Sequence, residues 1–258
     1  MQPHQTRAAL IIALALLALA AACQSGPFGG YPAFDSKGRA QNYIARGATD
    51  LKEGKFEEAI GDFDEAIRLD PQMSQAYYGR GMALQDLGNL DKALADLNRA
   101  LELDPKNADA YNERGIIHYN TGDLEAAARD YSRATELVPG DAFYWSNLGN
   151  VEFALHKYSD SIRDTTRAIA LDEKLASAYL VRGMSLIETG RSDSALTDLD
   201  EAIRLAPDLA DAYYNRGAAY VRLGDKLKAV DDMKRYLELD PTAGNASYVR
   251  DLILELTR

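Results

Sequence analysis

One short pattern returns along this chain at a fixed step of 34 residues. It reads Tyr43…Arg46-Gly47, Tyr77…Arg80-Gly81, Tyr111…Arg114-Gly115, Tyr179…Arg182-Gly183 and Tyr213…Arg216-Gly217, with a variant copy, Trp145…Leu148-Gly149, in fourth place. Further columns keep the step without insertion. Small residues form one: Ala59, Ala93, Ala127, Ser161, Ala195 and Ala229. Phe63, Leu97, Tyr131, Thr165, Leu199 and Met233 form another, and Ala66, Ala100, Ala134, Ala168, Ala202 and Tyr236 a third. Pro71, Pro105, Pro139, Pro207 and Pro241 close the copies, with Glu173 in the fourth. A period of this length specifies stacked supersecondary units, each unable to bury its apolar face alone.

Each copy predicts two antiparallel helices. The Gly and the Ala twelve residues later lack bulk, so the helices approach closely there. The aromatic before the Gly and the large residue after the Ala fill the space around that contact. Gly54, Gly88, Gly122, Gly190 and Gly224 supply a left-handed turn after the first helix, and the prolines stop the second.

These columns resemble the tetratricopeptide repeat. The copies run 40–73, 74–107, 108–141, 142–175, 176–209 and 210–243. The resemblance implies an all-α fold: a right-handed superhelical solenoid of six helix hairpins. A capping helix is expected in 244–258, where Tyr248, Val249, Leu252, Ile253 and Leu256 share a helical face and Arg250, Asp251 and Glu255 point to water. Asn245-Ala246-Ser247 matches a glycosylation sequon but reads as the start of that cap.

The N-terminus is an address. Residues 1–22 hold one charge, Arg7, followed by the apolar run Ala8–Ala22, too short to span a bilayer and suited to a secretory signal. Leu19-Ala20-Ala21-Ala22-Cys23 resembles the lipobox of bacterial lipoproteins, with Cys23 the only cysteine in the chain. Plain secretion is the alternative, since Ala20-Ala21-Ala22 also suits ordinary cleavage. Residues 23–39 then form a lipidated Cys and a Gly/Pro/Ser-rich tether, with a reach of roughly 20–24 Å. Gln24 after the Cys points to the outer membrane, facing the periplasm; a soluble periplasmic protein is the alternative.

The formal net charge of −11 repels phosphate backbones and argues against nucleic-acid partners. A single cysteine forms no internal disulfide, and no Cys/His cluster has metal-ligand spacing. Phosphate loops, dinucleotide fingerprints and nucleophile elbows are missing from the sequence. The expectation is a binder of other proteins, with no catalytic residue, metal, cofactor or small-molecule substrate.

Asp62, Asp96, Asp130, Asp164, Asp198 and Asp232 fill one column, and Arg fills the column before the Gly in five copies. Half-buried Arg is usually paired, so the two columns are expected to form a ladder. Pairing within a repeat would orphan Asp164, because Leu148 replaces its Arg; pairing with the following repeat would orphan Asp130.

In tetratricopeptide arrays the first helices line a concave groove. The register places Tyr78, Met82, Asn112, Tyr119, Phe143, Asn147, Asn150, Phe153, Met184, Tyr214 and Asn215 there. Aromatics grip apolar side chains, and Asn amides pair with an extended backbone. The partner-binding set is Tyr78, Asn112, Tyr119, Phe143, Asn147, Asn150, Phe153, Tyr214 and Asn215. Packing between neighbouring helices is the competing reading for each. The fourth repeat departs most, with Leu148, His156, Ser161, Thr165 and Glu173; such local rule-breaking often marks function, and drift in a redundant middle repeat is the alternative. The carboxylate clamp of chaperone-binding tetratricopeptide domains is not supplied by any three consecutive repeats.

The sequence therefore predicts a membrane-anchored scaffold or adaptor of the bacterial envelope, binding a peptide or helix in the groove. The alternative is an assembly factor for an outer-membrane secretin or pilus machine.

Overall fold

A computed structural model describes residues 36–258; the signal segment, Cys23 and most of the tether lie outside the described residues. Thirteen α-helices, and no strand, make up the described residues. They fall into two compact units, one ending at Thr121 and the other starting at Gly122.

The first unit contains α1 (Ser36–Lys52), α2 (Phe56–Leu69), α3 (Ser74–Asp86), α4 (Leu90–Leu103) and α5 (Ala108–Asn120). The second contains α6 (Leu124–Leu137), α7 (Ala142–Ala154), α8 (Tyr158–Leu171), α9 (Ala176–Glu188), α10 (Ser192–Leu205), α11 (Ala210–Leu223), α12 (Lys226–Leu239) and α13 (Ala246–Leu256). Within each unit consecutive helices pack side by side, as a stack of hairpins requires. The first helix begins at Ser36, so Ser36–Arg39 is helical and not the end of a tether. No Pro interrupts Ser36–Arg39, and the helix extends back from Ala40 through Gly38.

The small-residue columns form the seams. A Cβ added at Gly183 would stand 2.8 Å from Leu199 Cγ, and one at Gly149 2.5 Å from Thr165 Cγ2. Both approaches are too close for any side chain larger than hydrogen. Around these seams lie cores such as Tyr78, Leu84, Leu97, Leu101 and Ile117 in the first unit. Leu180, Leu186, Ile187 and Leu199 form a counterpart in the second.

The turns show which residues set the geometry. Gly54, Gly88, Gly122, Gly190 and Gly224 all take φ between 75° and 86°. At the equivalent place His156 takes φ 59°, the one non-glycine residue with positive φ among those described. Its Nδ1 lies 2.7 Å from the Tyr158 hydroxyl. Glu173, where other repeats carry Pro, leaves the chain path unchanged, because Asp172 is still extended (φ −142°, ψ 101°). Its Oδ1 accepts from Lys174 N at 2.9 Å, as Asp70 accepts from Gln72 N and Asp104 from Lys106 N at 3.0 Å. This Asx turn shapes the corner where the proline is missing.

The terminal helix α13 covers the last hairpin. Val249 is fully buried against Met233 and Tyr236, with Leu252 and Ile253 beside it. Tyr248, expected on that face, is 60% exposed. Asn245 sits at the N-cap position but makes no side-chain cap; its Oδ1 accepts from the Tyr236 hydroxyl at 2.5 Å. The buried phenol needs a partner, and it takes the one the helix end would have used.

Candidate functional site

Arg46, Arg80, Arg182 and Arg216 pair with the column Asp of their own repeats. Arg80 reaches Asp96 through Nε and Nη2, both at 2.7 Å. Arg182 meets Asp198 the same way at 2.7 Å, Arg216 meets Asp232 at 2.8 and 2.6 Å, and Arg46 pairs with Asp62. Each fork spans the two helices of a hairpin, the bidentate geometry that suits a guanidinium.

Arg80, Arg114, Arg182 and Arg216 also reach back to the second helix of the preceding repeat. Arg80 Nη1 donates to Asp64 at 2.5 Å, Arg114 Nη1 to Asn98 at 2.6 Å and Arg216 Nη1 to Asp200 at 2.7 Å. Arg182 Nη1 contacts Thr166 Oγ1 at 3.2 Å. An aromatic lies alongside in every case, with Tyr43, Tyr77, Tyr111, Tyr179 and Tyr213 at 5.0–5.7 Å from the guanidinium carbon. Arg80, Arg182 and Arg216 thus each tie three helices together. Hydrogen bonding to the column Asp raises the pKa of Arg182 and Arg216 further above its ordinary value.

The fourth repeat lacks this arginine, yet Asp164 is not orphaned. Arg163, its sequence neighbour, turns back and chelates it at 2.7 and 2.9 Å while also pairing with Asp160 at 2.6 Å. Arg163 does this from the solvent side, its side chain 64% exposed against 20–24% for Arg80, Arg182 and Arg216.

Glu152, one turn beyond Leu148, is buried in the same place. Burial raises its carboxyl pKa from 4.5 to about 8, helped by the charge of Asp164 and a hydrogen bond between the two groups. Its Oε2 has no hydrogen-bond partner. Among the described residues no group of three His, Cys, Asp or Glu could hold a metal ion.

The expected groove residues divide. Phe143, Asn147, Asn150 and Phe153 lie on one face of α7, by their spacing of three to four residues. Phe143 is 46% exposed, and the other three are half-buried. Phe153 also stacks on Tyr158, ring centres 5.6 Å apart. Met184, Tyr214 and Asn215 are half-buried in the same unit. Tyr214 leans on Tyr236 at 5.2 Å, and the Asn215 amide donates to Asp211 O at 2.8 Å, so packing and helix bonding already use both.

In the first unit Tyr119 and Met82 are half-buried. Tyr78 and Asn112 are buried, which corrects their assignment to an open groove. Tyr78 belongs to the core that holds Leu97 and Ile117, and the Asn112 amide lies 3.3 Å from Glu113 Oε1. The register marks which way a side chain leaves its helix, not whether the next helix covers it.

Family models described as tetratricopeptide repeat match residues 78–142, 146–208 and 182–253, and one described as TPR repeat matches 47–88. No curated protein matches the chain in sequence. Among solved structures, YrrB, described as a TPR protein with an unusual peptide-binding site, is 25% identical with a TM-score of 0.61; the match covers 73% of this chain and 97% of YrrB. Pseudomonas aeruginosa PilF superposes with a TM-score of 0.73 at 19% identity, over 84% of this chain and 98% of PilF. PilW, described as a widely conserved type IV pilus biogenesis factor, gives 0.71 at 16%, over 82% and 98%. The last two likenesses are of fold alone. None of the described helices is long and apolar enough to cross a membrane. With its 34-residue columns, its helix hairpins and models matching from residue 47 to 253, the chain belongs to the tetratricopeptide repeat family.

Proposed function

We propose that the chain is a protein-binding scaffold of the bacterial envelope, tethered through lipid on Cys23 and gripping a peptide or helix of a partner on the α7 face. The observation that carries this reading is Phe143, a large aromatic 46% exposed beside Asn147 and Asn150. An exposed ring next to amides able to bond an extended backbone suits peptide recognition better than folding. The peptide-binding site named for YrrB supports the same reading. The reading is one of holding a partner, in line with the tetratricopeptide repeat family models.

A second reading is an assembly factor for a secretin or pilus machine of the outer membrane. It is favoured by the near-complete overlap with PilF and PilW, 98% of each chain. A photo-crosslinking amino acid at position 143, used in intact cells, tests both. Capture of an envelope protease or cell-wall hydrolase supports the adaptor, and capture of a secretin supports the assembly factor. No adduct at 143, with adducts from positions away from the α7 face, would sink the groove. Palmitate-analogue labelling that persists in Cys23→Ser would remove the anchor.

A further inference from the structure

An open cleft of about 750 Å³ lies between α6, α7 and α8, bordered by Ser132, Trp145, Leu148, Glu152, Arg163 and Asp164. Trp145, Leu148 and Glu152 leave α7 on the side opposite Phe143, Asn147 and Asn150. The cleft is therefore separate from the proposed groove.

Its lining matches, place for place, what surrounds the column arginine elsewhere. Asp164 stands where Asp96, Asp198 and Asp232 accept the Nε and Nη2 fork. Ser132 stands where Asp64, Asn98, Thr166 and Asp200 meet Nη1. Trp145 stands in the aromatic column beside the guanidinium, its own Nε1 held by Pro139 O at 3.0 Å. What differs is the centre. Leu148 replaces the arginine, and Glu152 replaces the buried Leu84 and Leu186 of the second and fifth repeats.

The consequence is a set of arginine acceptors without the arginine. Arg163 answers only part of it, since it holds Asp164 from the solvent side and comes no nearer than 3.7 Å to Glu152. Glu152, only 8% exposed, is left with Oε2 unbonded at the edge of the cleft. A buried carboxyl oxygen without a donor is a standing cost, and a guanidinium is the group that removes it.

We propose that this cleft receives an arginine side chain from a partner protein, inserted where the column arginine of the other repeats lies. The guanidinium stacks on Trp145, forks onto Asp164 and Glu152, and reaches Ser132 with its remaining amine. Arg163 swings to Asp160, with which it already pairs. The lining also carries Lys157, Arg129 and Arg133 beside Glu125 and Glu136, and Arg133 pairs with Glu136 at 2.8 Å. The net charge of −11 draws a basic segment towards the molecule.

Trp145 is the only tryptophan in the chain, so its emission reports on this cleft alone. The folded protein is titrated with a nonapeptide library fixed at one central arginine, and with matched libraries carrying citrulline or glutamate there. The expected result is a saturable change in Trp145 emission with the arginine library, and binding at least tenfold weaker with citrulline. Leu148→Arg fills the place in cis and abolishes the response; Glu152→Leu weakens it at least tenfold. Phe143→Ala leaves it unchanged, which separates this site from the groove. Leu148→Arg copies the side chain of five sibling repeats, and an unchanged or raised melting temperature shows that it folds. Equal response to arginine and citrulline, preference for glutamate, no response to any library, or full response in Leu148→Arg each overturns the proposal.

Discussion

Arg216 and Asp232 meet across the last repeat hairpin in a two-pronged contact, Nε to Oδ2 at 2.8 Å and Nη2 to Oδ1 at 2.6 Å. The carboxylate side chain is 8% exposed and the guanidinium 21%, with Tyr213 over it at 5.6 Å. Removing the arginine strands a nearly buried negative charge, which costs more than the pair itself contributes. Arg216→Ala is expected to lose about 2–3 kcal/mol of stability. Arg216→Lys should recover only part of it, because an ammonium cannot form the fork. Replacing both partners by apolar residues should cost less than Arg216→Ala alone. Chemical denaturation of the three variants measures the order.

His156 holds a left-handed turn where the other repeats use glycine. That conformation costs a non-glycine residue about 1–2 kcal/mol. The contact with the Tyr158 hydroxyl at 2.7 Å offsets a part. His156→Gly is expected to raise stability by about 0.5–1 kcal/mol, and His156→Val to lower it. A thermal melt in which His156→Gly falls below the parent would mean that the His–Tyr contact outweighs the strain.

The fold was legible because its constraints recur. A glycine facing a small residue every 34 residues admits little but a tight helix pair, and the described residues are all-helical. What escaped the sequence was local substitution. Arg163 rescues Asp164 from the adjacent position, which no column displays. The Asx turn shared with the proline-bearing repeats holds the corner at Glu173. Tyr78 and Asn112 leave their helices in the groove register but are covered in the packed unit, and Tyr248 leaves α13 on the solvent side. The gap at Leu148 was visible as a missing arginine; the burial of Glu152 beside it was not, because its column mixes Asp50, Leu84, His118, Leu186 and Tyr220 and sets no rule for burial.

Glu152 makes stability depend on pH in a stated direction. Its pKa is raised from 4.5 to about 8 by burial and by Asp164. The native state therefore keeps a proton between those values that the unfolded chain has released. Its contribution falls as pH rises from about 4.5 to 8, and stays low above that. The facing groups are Asp160, Arg163 and Asp164 on α8, Lys157 in the turn, and Glu125, Arg129, Arg133 and Glu136 on α6. Glu152→Gln keeps the shape and cannot ionise. It should match the parent near pH 5 and exceed it by about 1–3 kcal/mol near pH 9. Parallel stability curves for the two proteins would show that Glu152 is solvated as a charge.

Phe143 and Gly149 sit six residues apart on α7 and should fail in opposite ways. Phe143 is 46% exposed, so Phe143→Ala removes little packing and is expected to shift stability by less than about 0.5 kcal/mol. If the ring anchors a partner, the same change should cost about 2 kcal/mol or more of binding, well over tenfold. Phe153→Ala is a less clean probe, because its contact with Tyr158 also holds the turn. Gly149 is the reverse case. A Cβ there would stand 2.5 Å from Thr165 Cγ2 and 3.3 Å from Ser161 O, with backbone on one side leaving no room to yield. Gly149→Leu should push α7 and α8 apart and cost about 1–3 kcal/mol of fold stability. Binding by that variant should fall only in proportion to the unfolded fraction. Suppose Phe143→Ala binds a crosslinked partner as tightly as the parent, while charge reversals away from this face abolish binding. The α7 ring would then be solvent-exposed packing, and the partner would have to be sought on another surface.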